Sequence, residues 1–372
     1  MQEQKILWAS HNYEEVDKYL AESRPGKILL VCGGSISSLK LDGYFGNLEE
    51  RLGIKVVRFS DFEPNPKYES VVKGVQVFKQ EQCDFIVAVG GGSAMDVAKC
   101  IKLFANMDSA QNYLKQEIRP NGIRLFAVPT TAGTGSEATR YAVIYYNGEK
   151  QSVSDYSCIP EAVFMDASVL KTLPPYQKKA TMLDALCHAL ESFWSVNSTP
   201  ESQNYSRDAI RMILNNSNAY LNNDETGNAN MLHASYVAGK AINITQTTAG
   251  HAMCYKLTSL YGIAHGHACA ICVSKLWRFM LCNIDKCIDP RGQDYLSNIF
   301  ERLAQIMECK TPMEAAEYYQ DFVNRQALGT PAVKSHKDYV ILKTSVNPVR
   351  LKNNPVGLSE ADIDGLYHQI LG

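Results

Sequence analysis

Short runs of β-branched and other apolar residues recur through the first 170 positions: KILWAS (5–10), KILLVC (27–32), IKVVRFS (54–60), DFIVAVG (84–90) and RLFAVP (124–129). Between most of them lie stretches of helical periodicity, such as Tyr68 to Lys79 and Ala94 to Phe104. A period of two alternating with a period of 3.6 predicts βαβ units, and hence a parallel, doubly wound sheet. YAVIYYNGEKQSVSDY (141–156) breaks this rhythm. Its two alternating runs flank Asn147-Gly148, the residue pair that a tight hairpin turn selects, and AVFMD (162–166) predicts one further strand. After Pro174-Pro175 the pattern changes again: from Lys178 onward the segments suit helices and none reads as a strand. The Asn-rich stretch 215–230 is expected to be a polar loop between helices. The expectation is therefore two domains, an α/β domain over 1–175 and an all-helical one over 176–372. No low-complexity linker parts them, so they are expected to pack closely around a ligand cleft.

Length and composition alter this picture little. A chain of 372 residues exceeds what one hydrophobic core serves, which agrees with two domains. A net charge of -2 lacks the basic excess of a nucleic-acid or anionic-membrane binder. No stretch of eighteen apolar residues and no leader-like N-terminus occurs, so a soluble, cytoplasmic protein is expected. Eleven cysteines, an odd number without regular spacing, suit reduced and buried thiols.

The candidate chemistry begins with glycines. DFIVAVGGGSAMDVAK sets Gly90, Gly91, Gly92 and Ser93 between a strand and a helix, where the backbone can approach a phosphate and the helix offers N–H groups to it. Asp96 and Lys99 follow in the first turns. PTTAGTGSEAT (129–139) is a second strand-ending loop, dense in hydroxyls and glycine. CGGSISS (32–38) is a third, where a nicotinamide dinucleotide's ribose is commonly read by a carboxylate. Gly33, Gly34 and Ser35 supply none. That leaves room for NADP, with Ser35, Ser37 and Ser38 as phosphate donors.

The histidines supply the second centre. Three of eight fall within TTAGHAMCYKLTSLYGIAHGHACA (247–270). Tyr261-Gly262 predicts a helix break, so that His251 would end one helix and His265 would open a loop or another helix. Upstream, DALCHALE places Asp184 and His188 at i and i+4 on one helical face. Three nitrogens and one oxygen suit Fe(II), Zn(II) and related ions.

In order and separation, GGGSAMDVAK, PTTAGTGSEAT, DALCHALE and HAMCYKLTSLYGIAHG resemble the iron-containing (group III) alcohol dehydrogenase family over nearly the whole chain. The resemblance implies a dehydroquinate-synthase-like architecture, with a Rossmann-like dinucleotide-binding domain and a helical domain that binds metal and substrate. It implies the metal ligands Asp184, His188, His251 and His265, with Fe2+ favoured. It also implies cofactor contacts from Asn65, Gly91, Gly92, Ser93, Asp96, Thr130, Thr131, Thr134 and Lys150. NADP(H) is favoured over NAD(H), the substrate is a small aldehyde or alcohol, and a homodimer or larger homo-oligomer is expected.

One departure carries information about substrate. Many members have a second histidine four residues after the first ligand of the 247–270 segment; here that position is Tyr255, and the residue two past the last ligand is His267. With NITQTTAGHAMCY and SVNPVRLKNNPVGLS, these features most resemble the branch that reduces phosphonoacetaldehyde to 2-hydroxyethylphosphonate. His267 and Tyr255 are candidate proton donors. Lys256, Arg140, Arg350 and His267 are candidate anchors for a phosphonate, whose charge would be costly if left unpaired. A general short-chain alcohol dehydrogenase, a dehydroquinate-synthase-like lyase and a non-catalytic binding protein are the competing readings.

Overall fold

The computed structural model describes residues 4–10 and 12–372. The chain forms two compact units, one comprising residues up to 131 together with 135–173, the other 132–134 together with 174–372.

In the first unit six strands make one parallel sheet in the order β1-β8-β5-β4-β2-β3: β1 Lys5–Trp8, β2 Lys27–Cys32, β3 Lys55–Phe59, β4 Phe85–Gly90, β5 Arg124–Pro129 and β8 Ala162–Met165. β4 is buried at every residue, because it is central and covered on both faces, and its unbroken apolar run is the expected signature. Helices α1 (Glu14–Ser23), α2 (Lys40–Gly46), α3 (Leu48–Leu52), α4 (Tyr68–Gln80) and α5 (Gly92–Phe104) make the crossovers. The chain leaves β2 towards β3 on one side and returns to β4 on the other, so the topology reverses between β2 and β4. At such a point the carboxyl ends of the strands leave a crevice for ligand. The register pairs Cys32 with Val89 and Gly90 with Pro129, which brings the loops after β2, β4 and β5 level with one another.

β6 (Tyr141–Tyr146) and β7 (Glu149–Ser154) form the hairpin expected from Asn147-Gly148. Both turn residues have positive φ, 52° and 79°, as a two-residue turn matched to strand twist requires. Lys99 ties the hairpin and the loop after β5 to α5. Its buried ammonium donates to the carbonyls of Ser136 (2.5 Å), Thr139 (2.7 Å) and Tyr141 (2.8 Å).

The second unit is helical: α6 Pro175–Trp194, α7 Pro200–Leu221, α8 Glu225–Thr245, α9 Ala249–Tyr261, α10 His265–Cys282, α11 Gln293–Ile306, α12 Pro312–Arg325, α13 Lys337–Thr344, α14 Pro348–Leu351 and α15 Glu360–Leu371. Among the described residues its only extended pairing is a bridge between Cys287 and Val356. α6 is the hub, packed by α7, α8, α10 and α11. Residues 182–195 are accordingly buried all round, as a surrounded helix demands. Asp184, His188, Glu191 and Ser192 are polar groups inside that apolar environment, and each needs a partner.

Two expectations are corrected. The Asn-rich stretch 215–230 is mostly helix, and the connection between α7 and α8 is only residues 222–224. The amides satisfy themselves on the helix pair: Asn216 donates to the Met212 carbonyl at 2.8 Å, and Asn230 donates to Asn216 at 2.7 Å. Asp224 caps α8 by accepting the Gly227 N–H at 2.8 Å. His251 lies in the first turn of α9, at its N-terminal rather than its C-terminal end. Gly262 does break the helix, as its left-handed C-cap (φ 70°), and α10 then opens at His265. No described helix is long and apolar enough to cross a membrane.

Candidate metal centre and nucleotide loops

In the first unit the strand register gathers several of the sequence-predicted nucleotide residues. Thr130 N–H donates to the Gly90 carbonyl at 3.0 Å, and a Cβ at Gly91 would stand 3.0 Å from Thr131 Oγ1. A side chain at Gly91 would press on Thr131, and α5 begins immediately after it with no described side chain capping its first N–H groups. Such a helix start suits a phosphate. Asp96, one turn in, accepts from Ser136 Oγ at 3.1 Å. Burial raises its carboxyl to about 6, against the partial opposition of Lys99, the Val143 N–H, Ser136 and Lys150. Lys150 stands opposite Tyr145 on the hairpin. Tyr145 N–H donates to the Pro66 carbonyl at 2.8 Å, which pins the loop carrying Asn65 beside it. Asn65 is exposed and has a positive φ of 59°.

Gly33, Gly34 and Ser35 follow β2 as expected, with Gly34 and Ser35 exposed. The Ser37 and Ser38 hydroxyls are engaged within the loop itself. Each has one hydroxyl hydrogen, and these go to the carbonyls of Gly34 (2.9 Å) and Ser35 (2.8 Å). Thr134 falls in the short 132–134 stretch that packs with the helical unit.

The second unit brings the four proposed ligands together. Asp184 and His188 sit one turn apart on α6, His251 in the first turn of α9 and His265 at the first residue of α10. Asp184, His188 and His251 each offer a ligand atom within 4.8 Å of the other two. Asp184 Oδ1 lies 3.6 Å from His251 Nε2 and 4.0 Å from His265 Nε2. The His188 and His251 rings stack with centroids 4.6 Å apart. Asp184 Oδ1 is fully buried and has no hydrogen-bond partner among the described residues. Two ligands at about 2.1 Å from a tetrahedral cation stand roughly 3.4 Å apart. The separations from Asp184 are too long for hydrogen bonds but close to that spacing, so the donor set fits a divalent cation. His265 is the open side: its side chain is 38% exposed, against 4% for Asp184.

The three imidazoles and the carboxylate differ in their electrostatics. Burial alone would raise the Asp184 carboxyl, but His188, His251 and His265 hold it well below the usual carboxylate range. Burial lowers His188 to about 4, leaving it neutral near pH 7 with a lone pair to give. His251 is driven the other way. Burial would lower it, yet the Glu191 and Asp184 carboxylates raise it well above its ordinary value.

Glu191 is a residue that sequence reading missed, although DALCHALE places it three positions after His188 on the same helical face. It is wholly buried, and its Oε2 meets His251 Nδ1. Its Oε1 accepts from Thr248 Oγ1 at 2.7 Å and from the His251 N–H at 3.3 Å. That arrangement fixes the His251 ring, leaving Nε2 directed at the Asp184 side. Glu191→Gln is expected to weaken metal affinity by about 10–100-fold, measured by competition with a chelator. An unchanged affinity would remove Glu191 from the site. Cys254 and Cys269 are the other unforeseen neighbours, with Sγ atoms 3.6 Å from His265 Nδ1 and 3.2 Å from His251 Nδ1.

Tyr255 stacks on His265, centroids 5.7 Å apart and planes 10° from parallel, and so orients that imidazole. His267 has both ring nitrogens engaged. Nε2 lies 2.9 Å from the Gly329 carbonyl, which can only accept, so Nε2 carries the proton. Nδ1, 3.1 Å from Tyr176 Oη, then accepts the phenol hydrogen, while Tyr176 Oη accepts the Ala264 N–H at 2.8 Å. His267 therefore fastens the segment leading into His265, and this occupancy argues against its role as a proton donor. Among the candidate anchors, Arg140 packs on the Tyr141 and Tyr156 rings and donates to Tyr156 Oη at 2.5 Å. Lys256 is half-buried on α9. Arg350 donates to Gln246 Oε1 at 2.6 Å, just before α9.

A family profile described as "Iron-containing alcohol dehydrogenase" matches residues 3–167, and one described as "Fe-containing alcohol dehydrogenase family, C-terminal" matches 178–371. The chain belongs to the iron-containing alcohol dehydrogenase family. As a member it is an alcohol/aldehyde oxidoreductase, and the family implies a divalent metal and NAD(P). It is 32% identical over 260 residues to alcohol dehydrogenase 4 of Saccharomyces cerevisiae strain YJM789, covering 68% of each chain. It is 30% identical over 313 residues to the phosphonoacetaldehyde reductase of Streptomyces viridochromogenes, covering 80% of this chain and 79% of that one. The crystal structure of sulfoacetaldehyde reductase from Bifidobacterium kashiwanohense in complex with NAD+ superposes with a TM-score of 0.87 at 25% identity, covering 100% of this chain and 98% of the other. The fold is the dehydroquinate-synthase-like one of iron-containing alcohol dehydrogenases.

Proposed function

We propose that this iron-containing alcohol dehydrogenase reduces a short aldehyde bearing a small anionic head group, phosphonoacetaldehyde foremost, to the primary alcohol 2-hydroxyethylphosphonate. A divalent metal is held by Asp184, His188, His251 and His265, and NADP(H) by the loops after β2, β4 and β5. The observation that carries the chemistry is the buried, unpartnered Asp184 Oδ1 beside the imidazoles of His251 and His265. The similarities to a phosphonoacetaldehyde reductase and to a sulfoacetaldehyde reductase support the head group. The lack of a carboxylate at Gly33, Gly34 and Ser35 supports the cofactor choice.

When bound, the metal supplies a Lewis acid and the nicotinamide a two-electron carrier. The chain's residues supply position. Asp184 contributes the negative charge that offsets a cation among neutral rings. Glu191 holds His251 through Nδ1, Tyr255 holds the His265 ring by stacking, and His267 keeps its own proton at Nε2 while anchoring the approach to α10.

Metal analysis combined with NADPH oxidation over a panel of aldehydes tests this reading. Phosphonoacetaldehyde should exceed propionaldehyde in kcat/KM by at least about tenfold, the step expected from one added charge-assisted contact. Equal turnover of the two would sink the head-group reading. Metal and activity both surviving in His265→Ala would sink the ligand set.

A further inference from the structure

One stripe along α6 carries Asp184, His188, Glu191 and Trp194, each a helical turn from the next. Thr248, the residue before α9, fits its hydroxyl between the last two. Trp194 Nε1 donates to Thr248 Oγ1 at 3.1 Å, and Thr248 Oγ1 donates to Glu191 Oε1 at 2.7 Å. The direction of both bonds is fixed: an indole N–H can only donate, so the hydroxyl accepts it and directs its single hydrogen at the carboxylate. Thr248 and Glu191 are wholly buried and Trp194 nearly so, which keeps solvent from this chain of donors.

Thr248 stands at the N-cap of α9, where a threonine hydroxyl ordinarily accepts an N–H of the helix's first turn. Here it makes no such bond. The Glu191 carboxylate, reaching across from α6, accepts the His251 N–H in its place at 3.3 Å, and its negative charge meets the positive end of the α9 dipole. Gly250 leaves room for it: a Cβ there would stand 2.9 Å from Glu191 Oε1 and 2.5 Å from Val273 Cγ2. A capping residue that forgoes its own cap breaks a local rule, and such breaks gather where function needs them. What is gained here is a restrained carboxylate. With Oε1 held by two donors, Oε2 is kept on His251 Nδ1. We propose that Thr248, backed by Trp194, is a positioning residue of the metal centre: it aims Glu191, and through Glu191 the His251 imidazole, so that Nε2 is presented to the cation. This inference rests on the ligand set proposed above. Neither Thr248 nor Trp194 touches the metal.

The test uses the full-length protein, stripped of metal and titrated with Zn2+ against a chromogenic chelator in the absence of substrate and cofactor. Thr248→Val keeps the shape and removes the hydroxyl. It should weaken zinc affinity about tenfold, the lower end of what losing an orienting partner costs. Thr248→Ser keeps the hydroxyl and should restore most of that affinity. The deciding arm is Thr248→Val in the Glu191→Gln background. If Thr248 acts through Glu191, the change should cost less than about twofold once the carboxylate is gone, because residues of one hydrogen-bond network do not add. A merely structural role predicts otherwise: Tm of the metal-free protein falls while zinc affinity holds, or the same affinity loss appears in both backgrounds. Either result, or a serine variant as weak as the valine one, overturns the assignment of Thr248 alone. Thr248→Ala takes the place of the valine variant if that one does not fold. A wild type that binds no zinc overturns the ligand set, and this assignment falls with it.

Discussion

Asp184→Asn should give a folded protein that no longer retains a divalent metal through gel filtration and reduces aldehydes at least about 10³-fold more slowly. A metal Lewis acid contributes several kcal/mol of transition-state stabilisation, and each 1.36 kcal/mol is a factor of ten. Asp184 is the only carboxylate of the proposed quartet, and its side chain is 4% exposed. Without it three uncharged imidazoles would have to hold a dication in a buried place, where charge is expensive. Asparagine keeps the shape, so packing against α10 is preserved and the loss is electrostatic. Metal content by mass spectrometry, together with a thermal scan to verify the fold, decides the matter. Stoichiometric metal in the variant would show that Asp184 is not a ligand.

Gly266→Ala should be nearly as damaging, although it touches no ligand atom by substitution. A Cβ at Gly266 would stand 2.6 Å from Asp184 Cβ and 2.9 Å from the Asp184 nitrogen, and it would also collide with the Ala180 carbonyl. Two of these obstacles are helix backbone, so α10 must step away from α6. His265, the adjacent residue, would be carried with it. Overpacking of this kind costs about 1–3 kcal/mol. The expected drop in Tm is about 5 °C, and misplacement by an ångström lowers turnover by about 10²-fold. Differential scanning calorimetry and a metal titration check both halves. A variant with unchanged Tm and metal affinity would mean that the helices are not held at this separation.

Much of this was legible in the chain because the deciding signals are local. The strands announce themselves as short apolar runs, the hairpin as Asn147-Gly148, and the α6 ligands as an i,i+4 pair. What was not legible depends on partners distant in sequence. Composition alone made 215–230 look like a loop, whereas amide pairing between α7 and α8 lets the asparagines stay helical. The glycine at 262 marks a boundary without saying on which side of the helix the ligand lies, so His251 was assigned to the wrong end. Glu191 has the right spacing to be seen, but a carboxylate's value as an orienting group appears only when its surroundings are known to be dry. His267 looked like chemistry because it stands beside a ligand, and only the Gly329 carbonyl and Tyr176 reveal it as a fastening.

The helix α10 begins with His265 and ends with Cys282, whose thiol is exposed, while Cys254, Cys269 and Cys272 near the imidazoles are buried. Eighteen residues at 1.5 Å each set the two ends roughly 25 Å apart. With the half-buried Cys287 and Cys309 replaced by serine, a maleimide dye can be attached at one end of the helix that carries a site imidazole at the other. That makes α10 a ready-made probe handle, through which helix displacement on loading can be followed optically without altering a residue near the chemistry.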